Sequence, residues 1–63
     1  MKSSELIRRL KRDGWYTIRQ TGSHLMMEHA LKLGQLVVPN HGSQEVGKGL
    51  ALKILKDAGL NKP

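Results

Sequence analysis

The stretch "WYTIRQTGSHLMMEH", residues 15–29, decides how this chain folds. β-Branched and aromatic side chains fill its first half, as suits a strand. A second run of strand character follows Gly22-Ser23. Glycine at the first central position of a two-residue turn meets the positive φ that a type II′ hairpin requires. Pairing across that turn sets Thr21 opposite His24, Gln20 opposite Leu25 and Arg19 opposite Met26. Continued without interruption, it sets Ile18 opposite Met27, Thr17 opposite Glu28 and Tyr16 opposite His29. Period-two alternation then separates two faces. Tyr16, Ile18, Leu25 and Met27 are expected in the core, with His29 on their side beside Tyr16. Thr17, Arg19, Thr21, His24, Met26 and Glu28 are expected outside, which presents an imidazole on the outer face directly after the turn.

Working outward, the preceding segment reads as a helix. Ser3 and Ser4 are candidate N-caps, and Glu5 lies in the first turn, where the helix dipole favours an acid. Leu6, Ile7 and Leu10 share one face, basic residues cover the rest, and Gly14 is placed to end the helix. Beyond the hairpin, Leu33-Gly34 reads as a turn and "QLVVP" as a third strand stopped by Pro39. A polar loop, "NHGSQEVGKG", leads to a helix over residues 48–58, with Ala51, Ile54, Leu55 and Ala58 at helical spacing. Each element has one apolar side to bury. The expected fold class is therefore α+β, in the order α-β-β-β-α. It is a three-stranded antiparallel sheet with two helices on one face, in a single domain over residues 1–63.

Composition narrows the function. Eleven Lys and Arg oppose five Asp and Glu, a net charge of +6 on a body of 63 residues. Such a field favours nucleic acid over the other anionic partners. With one Trp, one Tyr and no Phe, recognition is expected to lean on phosphates and shape rather than on base stacking. The expected contacts are Arg8 and Arg12 on the first helix, Arg19 on the outer sheet face and Ser23 in the turn. His41 in the polar loop, with Lys48 and Lys53 on the second helix, complete the set. The chain has no cysteine, which fits a reducing compartment, and its longest apolar run is three residues, so no secretory signal is expected. The polar, turn-rich middle of the chain and its sheet periodicity argue against a membrane partner.

Chemistry has few candidates. A cysteine nucleophile is absent, and spacing assembles no Ser-His-Asp set. His24 and His29 lie five apart on one strand, hence on opposite faces, so a metal site and a metal cofactor are not expected. "GSQEVGKG" lacks the spacing of a phosphate loop. A lone histidine among cations remains. Imidazole exchanges protons near neutrality, and RNA carries its own nucleophile, the 2′-hydroxyl. One placed base and nearby positive charge can then support slow RNA cleavage. From spacing alone, a plain polar strand residue is the better reading of His24, and a non-catalytic module that binds structured RNA stays open.

The stretches "GWYTIRQTGSHLMMEH", "LVVPNHG" and "LALKILKDAGL", in this order and spacing, resemble the HicA-type mRNA interferase toxins over residues 4–60. The Gly22-Ser23-His24 element, Val38-Pro39-Asn40-His41 and the run from Ile54 to Gly59 carry that resemblance. It implies a double-stranded-RNA-binding-like fold and a metal-independent endoribonuclease without a cofactor. Cutting mRNA in the cytoplasm, such an enzyme blocks translation, and a HicB-type antitoxin masks it. The family's catalytic histidine maps onto His24. The chain departs from the family pattern at Leu25, where a second histidine is common, and at Ala30, in place of a proline. Gly47 and Leu50 likewise replace a Pro and a Thr at the second helix start.

Overall fold

The computed structural model describes residues 1–60. Its elements are α1 (Ser3–Asp13), β1 (Trp15–Thr21), β2 (His24–His29), β3 (Leu36–Pro39) and α2 (Lys48–Asp57). The strands form one antiparallel sheet in the order β1-β2-β3, so the expected α-β-β-β-α arrangement is present. Leu6, Ile7 and Leu10 of α1 join Ala51, Ile54 and Leu55 of α2 and the inner sheet face in one core. Among the described residues, the opposite face of the sheet carries no helix. Gly22 takes φ 57 while Ser23 keeps a negative φ, the combination a type II′ turn needs.

The pairing begins as expected and then slips. Thr21, Gln20 and Arg19 face His24, Leu25 and Met26. Ile18 is then skipped, and Thr17, Tyr16 and Trp15 face Met27, Glu28 and His29. This β-bulge inserts one unpaired residue and reverses the side on which every earlier residue of β1 points. Tyr16 and Ile18, expected in the core, are instead 48% and 43% exposed, and Thr17 pairs with a core residue rather than with Glu28. Trp15 goes inside at 2% exposure, and its ring meets His29 edge-on at 5.3 Å. The bulge buries the larger ring, whose indole N–H has no hydrogen-bond partner among the described residues, and leaves Tyr16 half exposed.

Ser3 and Ser4 are not N-caps. The cap position is Lys2, whose backbone N–H donates to Glu5 Oε1 at 3.3 Å. Ser3 and Ser4 are the first helical residues, and their free N–H groups donate to Gln44 O at 2.9 Å and Gly42 O at 2.8 Å. The polar loop after β3 thus does the capping, supplying carbonyls where local side chains were expected. Ser3 itself is 0% exposed. Its hydroxyl donates to Pro39 O at 2.6 Å and accepts the His41 N–H at 3.0 Å, tying α1 to the end of β3.

At the other end of α1, Lys32 binds three elements together. Its ammonium donates to Asp13 Oδ2 at 2.6 Å and to Ala58 O at 2.8 Å. The Lys32 hydrogen bond, with its charge, holds the Asp13 carboxyl below the ordinary carboxylate value. Beside it, His29 Nδ1 accepts the Leu31 N–H at 3.0 Å, which leaves Nε2 to donate to Asp13 O at 2.7 Å. A Cβ on Gly14 would stand 2.7 Å from that Nε2, so the glycine is required both by this approach and by its φ of 109°. α2 closes with Gly59 at φ 78°, Gly59 N–H on Lys56 O and Leu60 N–H on Leu55 O, a Schellman arrangement.

Candidate active site

The hairpin turn and the end of β3 meet at one edge of the open sheet face. His24 opens β2 opposite Thr21 on one side and Pro39 on the other. Its imidazole is exposed. Asn40 N–H donates to Ser23 O at 2.6 Å, so the β1–β2 turn and the chain leaving β3 are locked together. His41 follows, exposed and fixed through its N–H to Ser3. Ser23, His24, Asn40 and His41 therefore form a connected group, held from behind by α1.

Along the outer face, Thr21, His24, Met26 and Val37 line a shallow depression. Arg19 lies opposite Met26, and its guanidinium reaches the Met26 sulfur at 3.6 Å. One face thus presents an imidazole, a guanidinium and an apolar floor. That set can hold a phosphodiester and exchange a proton with a hydroxyl beside it.

The other expected contacts are dispersed. Arg8 is exposed and lines a separate depression with Ser4 and Ser43, near the start of α1. Arg12 stands beside Arg9, Asp13 and Leu60 at the far end of that helix, about 14 Å along the axis from Ser3. Lys48 is exposed at the first residue of α2, whose cap Gly47 offers no side-chain hydrogen bond. Lys53 pairs with Asp57 at 3.6 Å across one turn, an exposed pair of little energetic weight. Among the described residues, no three His, Asp or Glu side chains are grouped so as to hold a metal ion. His24 and His29 lie on opposite faces of β2, and His29 is a satisfied structural residue.

The sequence reading missed two contributors. Ser3 sits 36 positions from Pro39, and no local pattern signals their bond. Alternation alone places Tyr16 in the core, and only the bulge turns it onto the face that carries His24.

Compared with known proteins, the chain matches the family model described as the HicA toxin of bacterial toxin–antitoxin systems over residues 3–60. It is also 40% identical, over 60 residues, to a protein of Pseudomonas fluorescens (strain Pf0-1) named as a probable mRNA interferase HicA. That match covers 95% of this chain and 97% of the relative. Family model and relative both span nearly the whole chain, and the protein belongs to the HicA toxin family of bacterial toxin–antitoxin systems.

Proposed function

We propose that the chain is an mRNA interferase that cuts RNA with His24 as its general acid–base and without a metal. The observation that carries this reading is the exposed imidazole on the open sheet face, on the same side of the sheet as Arg19 and next to the locked turn. In the reaction, the RNA 2′-oxygen bonds to the neighbouring phosphorus while the bond from phosphorus to the 5′-oxygen breaks. The neutral imidazole takes the 2′-hydroxyl proton, and the departing 5′-oxygen takes a proton from the imidazolium or from water. Arg19 offsets the negative charge that gathers on the phosphoryl oxygens. Ser23 and His41, joined to His24 through the locked turn, receive the flanking phosphates. Arg8, Arg12, Lys48 and Lys53 contribute mainly to the long-range field.

Such an activity halts translation in the cytoplasm, and the family's toxin–antitoxin pairing supplies the restraint. A HicB-type antitoxin acts by covering His24. Purified wild-type and His24→Ala protein, incubated with RNA in excess chelator, test the catalytic assignment. Wild type is expected to cut and His24→Ala to bind RNA without cutting, with an unchanged fold, because an exposed strand position carries little packing. Equal cleavage by both proteins refutes the role of His24. Cleavage by neither, with retained binding, favours the RNA-binding module instead.

A further inference from the structure

We infer that the sheet face beyond His24 holds a base-reading subsite, formed by Tyr16, Glu28 and Gln35, for an unpaired nucleotide near the scissile linkage. The inference rests on the placement of catalysis at His24. The bulge at Ile18 turns Tyr16 outward, 48% exposed, directly opposite Glu28. Glu28 and His24 belong to the same strand and point to the same side, four residues apart, or about 14 Å. An extended strand of a few nucleotides covers that span. Arg19 and the apolar surfaces of Met26 and Val37 lie between.

The chemistry at the far end differs from that at His24. Gln35 Nε2 donates to Glu28 Oε2 at 2.7 Å, which orients the carboxylate and leaves its other oxygen able to accept. A carboxylate on this path repels phosphate, so the sugar–phosphate chain cannot lie over it. It does accept a hydrogen bond from an exocyclic amino group of a base. Uracil offers carbonyl oxygens on either side of its one N–H and fits such an acceptor less well. An exposed phenol ring beside the acceptor supplies the stacking surface that unpaired bases use. A base inside a duplex has both faces covered and cannot use it. Tyr16 and Glu28 together therefore suit a base that bears an exocyclic amino group, adenine, cytosine or guanine, in a single strand.

Single-stranded RNA oligonucleotides randomised around one cleavable linkage test this with purified protein. Wild type is expected to favour a base with an exocyclic amino group (adenine, cytosine or guanine) over uracil at one position near the cut, and to cut the same sequence more slowly as a duplex. Glu28→Ala should level that preference. Tyr16→Ala should lower cleavage at limiting substrate by about 5- to 10-fold, the low end for loss of a stacked base, while Tyr16→Phe keeps it. Oligonucleotides carrying 2′-O-methyl groups, which lack the attacking hydroxyl, give the same comparison as binding without cleavage. The subsite is refuted if folded Tyr16→Ala and Glu28→Ala proteins keep the wild-type rate and base profile. It is equally refuted if Tyr16→Ala weakens only the hold of the antitoxin, which would make this a protein-contact face. An inactive His24→Ala beside those unchanged variants leaves the catalytic reading standing, whereas an active His24→Ala removes the catalytic reading itself.

Discussion

Replacing Ser3 with alanine removes a single oxygen that joins the helix layer to the edge of the site. That hydroxyl is fully buried, donates to Pro39 O at 2.6 Å and accepts the His41 N–H at 3.0 Å. Pro39 is buried, so its carbonyl loses a partner that water cannot readily replace. His41 is exposed, and water can satisfy its N–H. One stranded buried acceptor costs about 1–3 kcal/mol. Alanine in the first helical turn returns about 0.5 kcal/mol of helix propensity. The net loss is about 0.5–2.5 kcal/mol, a large share of the roughly 3–5 kcal/mol that a core of this size supplies. For a domain this small, each kcal/mol moves the melting temperature by about 4–8 °C, so a drop of about 2–20 °C is expected by thermal circular dichroism. Ser4→Ala is the control. Ser4 uses only its backbone N–H, to Gly42 O, and alanine keeps that bond, so a gain of a few tenths of a kcal/mol is expected. If both serines were caps, each substitution would cost about 1 kcal/mol. Equal melting of the two variants, or a Ser3→Ala protein as stable as wild type, refutes the reasoning.

Three further outcomes follow from charge and pairing. RNA affinity should fall with salt, with a slope near −2 in log–log form if about three phosphates are neutralised on a single strand, and a flat titration contradicts the phosphate contacts. Asp13 is held below its ordinary value of 3.8 by Lys32, so its contribution to stability is present above that value and is lost as pH falls through the lowered one. Asp13→Asn should therefore flatten the acid limb of a plot of melting temperature against pH, and an unchanged limb shows that the Lys32 pair does not stabilise the fold. Co-expression with the product of the adjacent reading frame should yield a complex in which cleavage is suppressed and His24 is protected from diethyl pyrocarbonate. Full cleavage by that complex rules out occlusion of His24.

Local signals carried most of the fold. Helical spacing at Leu6, Ile7 and Leu10 and at Ala51, Ile54 and Leu55 placed both helices, because the 3.6-residue period is written directly into apolar positions. Gly22-Ser23 set the hairpin and its first three pairs, since the turn type depends on the φ of one glycine. From that turn followed the outward position of His24, one residue away, where no register error can accumulate. The family resemblance implies the catalytic role that spacing alone does not indicate.

Beyond the third pair, the decision belonged to tertiary packing. Both registers of β1 offer alternating side chains, one burying Tyr16 and Ile18, the other Trp15. Alternation within the strand does not choose between them. Burial of the Trp15 ring against His29, itself held by Asp13 and Leu31, accompanies the bulge at Ile18. That one skipped residue also decides whether Glu28 has Thr17 or Tyr16 beside it on the open face. Likewise, two serines in a helix start look like caps from the sequence. Only the return of residues 40–45 across the helix end shows that backbone carbonyls serve there, freeing Ser3 to reach Pro39. Contacts so distant along the chain leave no periodic trace, because their energy depends on where two separate elements come to rest.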